Sequence, residues 1–307
     1  MLGSSMPRRP AVLPIPPGPP FWVVSAPLPV AGLPRAVEGH CAVVERTRDL
    51  SLAGIEDADN VFDDGPLAGR LEAWIWEGPP TALQVVLTPA GRARVRITLR
   101  AARPGGSAAD ARRAGRALAD ELGHVLGRFG GPGWEPSAGV TPMGLGARVL
   151  FDPERGFPRG KEQAPRVAEL WSLISRHPPG RAAIVLAFAP DPDIPAARRP
   201  DASLMDLGFG PAIRAFVRDR ACIAVLGAAA EDALLLATTR QVLTANRPDL
   251  RWRPAAEPAA LPTAAEQFIL GRTLPTVRVG WPDARAFFSL FRQPEARGAV
   301  ASDDIPF

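Results

Sequence analysis

Between positions 92 and 100 the chain alternates polar and apolar residues: Arg92, Arg94, Arg96, Thr98 and Arg100 are interleaved with Ala93, Val95, Ile97 and Leu99. In an extended strand, alternate side chains share a face, so the arginines stand together and the apolar residues form the opposite side. Such a row of guanidinium groups can follow phosphates, gaining from counterion release, or can dock an acidic partner. The alternative is a solvated strand face whose charges are met by cross-strand carboxylates. No aromatic residue interleaves with the arginines, which argues against a platform for stacking single-stranded bases.

Other groups capable of chemistry do not assemble. Gly156 to Lys161 resembles a phosphate-binding loop, but it has one residue too few between its glycines, Glu162 where a hydroxyl should hold magnesium, and no apolar strand leading into it. His40 and Cys41 are neighbours, and neighbours in an extended segment point to opposite faces, so a nucleophile and base pair is not formed and Cys41 reads as a structural cysteine. Asp120 and His124 lie one helical turn apart, enough for a surface ion pair and too few for a metal site. His177, before Pro178 at an expected helix end, suits the negative pole of the helix dipole. The chain is therefore expected to be non-enzymatic, with no cofactor and no metal. An enzyme would need a pocket joining His124 or His177 to carboxylates from the other half of the chain.

The elements that position these residues follow from hydrophobic periodicity. A short helix at 67–76 runs into Pro79-Pro80, followed by strands at 83–87 and 92–100 and a long helix at 108–129. Further on, a helix at 167–175 runs into Pro178-Pro179. Strands at 183–188 and 222–226 follow, then a helix at 231–245, with a proline-rich insertion from Pro190 to Pro200 and an extra helix at 211–217. The repeat of order predicts an α+β fold of duplicated helix-strand-strand-helix units, ferredoxin-like and split-βαβ in character. The 108–129 helix carries an apolar stripe of Ala111, Ala114, Leu118, Leu122, Val125 and Phe129, with Arg112, Arg116, Asp120, His124 and Arg128 on its other side. Ser107 is its expected N-cap.

Around these units, residues 1–60 are expected to form a proline-rich arm and a small N-terminal subdomain with strands at 21–24 and 40–45. Residues 61–150 form the first unit and 151–258 the second. Residues 259–307 hold a linker, amphipathic pieces at 264–270 and 284–291, and a C-terminal tail.

Composition bounds the class. Of 307 residues, 46% are hydrophobic and 22% charged, as in a globular protein. The pI of 10.2 accompanies a net charge of only +4, so it is a poor argument for nucleic acid by itself. Two cysteines cannot build a disulfide framework or a four-thiolate site. The apolar run 221–237 is interrupted by Glu231 and Asp232 and is too short to span a bilayer, and the N-terminus lacks a secretory pattern. A cytoplasmic protein without membrane insertion is expected.

The repeated units, the long Ala/Arg/Leu helix and the segment from Leu261 to Pro294, ending in Phe287-Phe288-Ser289-Leu290-Phe291-Arg292-Gln293-Pro294, resemble the region preceding the motor in conjugative type IV secretion ATPases and HerA-type DNA translocases. That resemblance implies duplicated α+β lobes working with an ATPase, here on a separate chain because no P-loop or acidic metal-binding strand is present. The final residues Asp303, Asp304, Ile305, Pro306 and Phe307 are similar to the acidic tip of bacterial single-stranded-DNA-binding proteins, which recruits genome-maintenance enzymes. The chemistry suits recruitment: Phe307 can fill an apolar pocket, the two aspartates can meet a basic rim, and Pro306 limits the entropy lost on binding. The expectation is an accessory or adaptor protein of a DNA-translocating or DNA-repair assembly, with Arg92, Arg94, Arg96 and Arg100 meeting DNA or an acidic partner and 303–307 meeting a protein. The alternatives are an atypical single-stranded-DNA-binding protein and a split N-terminal lobe of a translocase ATPase.

Overall fold

A computed structural model of the chain describes residues 21–28, 37–51, 71, 74, 79–92, 94–129, 133–137, 144–150, 177–190, 221–244, 251–255, 258–271 and 277–280. Among these residues ten strands form one sheet: β1 (Trp22–Leu28), β2 (Val37–Ser51), β3 (Ala82–Gly91), β4 (Arg94–Gly105), β5 (Glu135–Pro136), β6 (Leu145–Leu150), β7 (Ala182–Pro190), β8 (Ala221–Ala230), β9 (Arg251–Pro254) and β10 (Val277–Gly280). Helix α1 (Ala108–Phe129) follows β4, and α2 (Ala233–Thr244) follows β8. A 3-10 turn (Pro258–Thr263) leads into the short α3 (Ala264–Ile269). The molecule is α+β, with every pairing between described strands antiparallel.

Among the described strands and the two longer helices, order and pairing are the same in β2-β3-β4-α1-β5 and β6-β7-β8-α2-β9. In each, the second strand pairs with the third, the third with the first, and the first with the last. The strand before the helix and the strand after it run the same way, with one antiparallel strand between them. The two second strands, β3 and β7, pair at the centre, Leu83 opposite Phe188 and Val86 opposite Val185. β1 joins the outer edge on β2, and β10 joins β8.

This sheet runs through all four of the expected chain segments. β1 and β2 are hydrogen-bonded members of it rather than a separate subdomain, because β2 pairs with β4 over Ser51 to His40. The boundary expected at 150 falls at the end of β6, whose partners β8 and β9 lie in the second half. Of the expected 67–76 helix only Leu71 and Trp74 are described, both helical. The expected helices at 167–175 and 211–217 and the amphipathic piece at 284–291 lie outside the described residues.

Local chemistry explains where the helices begin. Ser107 caps α1: its hydroxyl accepts from the Asp110 N–H at 3.2 Å and donates to the Asp110 carboxylate at 2.7 Å, and Ala111 N–H closes the first turn on Ser107 O. Asp232 does the same for α2, accepting from Leu235 N–H at 2.9 Å. The buried side of α1 is Ala111, Gly115, Leu118, Ala119, Leu122 and Leu126, with Ala114 and Val125 half-buried. Arg112, Arg116, Asp120, His124 and Arg128 face solvent, as the periodicity predicted.

The sheet is covered on both faces. On one, α1 packs over β1, β2 and β4: a Cβ at Gly105 would overlap Ala111, and one at Gly115 would overlap the Phe21 ring. α2 lies on the same side, its Arg240 guanidinium 5.6 Å from the ring centre of Trp252 in β9. On the other face the 3-10 turn and α3 cover two apolar clusters. Ala265 and Leu270 pack on Ala26, Cys41, Val43, Ala82, Ala102 and Ala189, and Leu261 packs on Val86, Ala183, Val185, Val225 and Ala229. Strands buried on both sides account for the near-continuous apolar runs of β7 and β8.

Candidate functional site

β4 alternates as its sequence requires, but the polar face changes character along its length. At the hairpin end Arg92, Arg94 and Arg96 are exposed. Arg96 forms a bidentate pair with Asp49 directly across on β2, Nε to Oδ1 at 2.6 Å and Nη2 to Oδ2 at 2.9 Å. The Arg96 hydrogen bond holds the Asp49 carboxyl below its ordinary range, helped by the charges of Arg96 and Arg94. Two residues further on, Thr98 is already buried, its hydroxyl 3.5 Å from that of Thr47.

Arg100 departs from the expected role: it is 4% exposed, lies beneath α3, and is closed to phosphates and to any partner. Its Nη1 donates to Pro262 O at 2.7 Å and stands 3.3 Å from Glu266 Oε1. Its Nε comes within 3.0 Å of Glu45 Oε2, the cross-strand position on β2, without the N–H aimed at that oxygen. Both Glu45 carboxylate oxygens and Glu266 Oε2 are buried without a hydrogen-bond partner among the described residues. The Trp22 ring lies over the guanidinium, 5.3 Å from Cζ to the ring centre. Beside this group Gln84 ties the covering segment to β3, donating to Pro262 O at 2.6 Å and accepting from Ala265 N–H at 3.0 Å. Burial pushes the Glu266 carboxyl up to about 7; Arg100 opposes this and the Glu45 charge adds to it. Burial likewise raises the Cys41 thiol to about 12, which makes it unreactive where it sits.

The row therefore divides. Arg94 and Arg96 share an open strand face and Arg92 is exposed in the turn before β4, outside the strand expected to start at 92, while Arg100 belongs to the core. Cross-strand carboxylates, the alternative weighed from sequence, stand opposite two of the four arginines.

The opposite face holds a second buried arginine that sequence reading did not single out. Arg103 makes a bidentate pair with Glu121 of α1 at 3.1 and 2.8 Å and donates from Nε to Thr81 Oγ1 at 3.1 Å. Trp74 N–H donates to the same Glu121 at 2.5 Å, and the Trp74 ring lies 5.8 Å from the Arg103 guanidinium carbon. The signal was present, since Arg103 sits in register with Ile97 and Leu99 on the apolar side of β4, where an arginine needs a buried partner.

Of the remaining candidates, His40 is hydrogen-bonded to Ser25 at 2.7 Å on the face away from Cys41. Asp120 and His124 remain on the exposed side of α1. Burial lowers the His177 pKa, with the Asp232 charge pulling the other way. Among the described residues no three His, Cys, Asp or Glu side chains gather to hold a metal, and no helix is long and apolar enough to cross a membrane. The 156–161 loop, the 287–294 segment and the 303–307 tip lie outside the described residues. Compared with known proteins, the chain matches no family model and no curated protein.

Proposed function

We propose that this chain is a non-enzymatic accessory protein of a cytoplasmic DNA-translocating or DNA-repair assembly. It is built on a duplicated split-βαβ unit, meets DNA or an acidic partner through Arg92, Arg94 and Arg96, and recruits another protein through Asp303 to Phe307. The observation that carries this reading is the repetition of β2-β3-β4-α1-β5 in β6-β7-β8-α2-β9 about the β3/β7 seam, the architecture that the resemblance to translocase lobes implies. The hairpin end of β4 adds to it, since exposed Arg92 and Arg94 beside the Arg96–Asp49 pair form a positive edge suited to phosphate or carboxylate groups.

The body is tested by measuring DNA affinity against salt for the parent chain and for Arg92→Ala/Arg94→Ala/Arg96→Ala. If the row contacts phosphates, the triple variant binds more weakly and its log-log salt slope is shallower by roughly 2 to 3, since each lost contact removes about 0.9. An unchanged slope removes DNA from the role of the row. Binding of an acidic partner protein that is lost in the same variant then assigns the row to that partner.

A further inference from the structure

We propose that residues 258–270 are a proton-controlled clasp: one proton taken up by the Glu45, Arg100 and Glu266 group holds the segment on the sheet, and loss of that proton loosens it. This stands independently of the function proposed above.

The geometry forces the question of charge. Two carboxylates share one guanidinium in a site where all three side chains are no more than 5% exposed. Three of the four carboxylate oxygens lack a hydrogen bond among the described residues. With both acids ionised the group carries an uncompensated negative charge in the core, and a single proton makes it neutral.

Among the described residues, the charged and titratable groups facing Glu266 are Arg100 on β4 and Glu45 and Cys41 on β2. β3 presents only the amide of Gln84, and β1 the ring of Trp22. None of these supplies a second cation. Glu45 and Arg100 are fixed in the paired interior of the sheet, whereas Glu266 stands on a helix of six residues attached through Gln84, Arg100 and apolar contacts. The excess charge is therefore relieved most easily by moving α3. The proton is held at Glu266, whose carboxyl pKa is raised by burial. The arrangement is peculiar to the first half of the sheet: with Ala108 aligned on Ala233 at the helix starts, Arg100 corresponds to Val225.

Cys41 reports the state of the clasp, because it is fully buried in the cluster that Ala265 and Leu270 cover. The experiment is thiol labelling of Cys41 in the full chain carrying Cys222→Ser, with and without Glu266→Gln, across a range from about pH 5.5 to about 8.5. Dividing the two rates at each pH cancels the ordinary rise in thiolate. The ratio of parent to Glu266→Gln rate is expected to climb at least about tenfold up to neutral pH and then level off. A ratio that stays flat overturns the proposal. As a second readout that needs no variant, hydrogen exchange corrected for its intrinsic pH dependence should show protection at 265–270 falling over the same range while β3 and β7 stay protected. Equal loss of protection in all three segments would mean global unfolding and would also overturn it.

Discussion

Replacing Arg100 with alanine leaves Glu45 and Glu266 facing each other in the core, and the loss is expected to be about 3 to 5 kcal/mol in urea unfolding, the scale for stripping a buried acid of its partner. Replacing all three residues by apolar ones of similar size should restore most of that loss. If the triple replacement were as damaging as the single one, the packing of the site rather than its charge would be at fault. Arg96→Ala, at a pair whose arginine is 50% exposed, should change stability by less than about 1 kcal/mol. The pH dependence has a definite sign. Glu266 titrates higher folded than unfolded, so its contribution is full below the ordinary glutamate range and is lost as pH rises from there to about 7. Unfolding free energy of Glu266→Gln measured against pH should lack that decline. Asp49 and Glu121 work oppositely, since their arginine partners hold them low and their contributions disappear in acid.

Helix α1 depends on contacts made by atoms that are absent as much as by those present. Gly115 lets the Phe21 ring approach the helix, and a methyl there would overlap the ring, so Gly115→Ala should destabilise by about 1 to 3 kcal/mol despite alanine's better helix propensity. A gain in thermal stability would mean that Phe21 is free to move aside. Much at this scale was readable in advance. The 108–129 helix, its Ser107 cap and the alternation of β4 follow from periods of 3.6 and 2 in the sequence itself. β5, β6, β9 and β10 were not, because strands as short as Arg251–Pro254 carry too few residues to set a period and are defined by their partners. The fate of Arg100 was equally hidden. Alternation gives its face, but whether that face is open depends on α3, which arrives from more than half the chain away.

Across the described residues, the β3/β7 seam joins the two halves into one hydrogen-bonded sheet, with α1 and α2 packed on one face and both apolar clusters under α3 on the other. The halves should therefore open together: the most protected amides of β4 and β8 are expected to exchange with free energies within about 1 kcal/mol of each other. A larger gap would show that each half unfolds alone. The succession of strand, strand and helix in β3, β4 and α1, and again in β7, β8 and α2, follows from periodicity in the sequence, whereas the places of β2 and β6 in the sheet emerge only from pairing. An accessory role for such a scaffold depends on what its ends and edges recruit. The most direct measurement is capture of partners from host lysate by three proteins, identified by mass spectrometry: the intact chain, a version lacking Ile305 to Phe307, and Arg92→Ala/Arg94→Ala/Arg96→Ala. The intact chain is expected to capture DNA-processing proteins, one set of which is lost with the three terminal residues and another with the arginines. Capture of the same proteins by all three, or of no DNA-processing component by the intact chain, would contradict an accessory role in DNA processing.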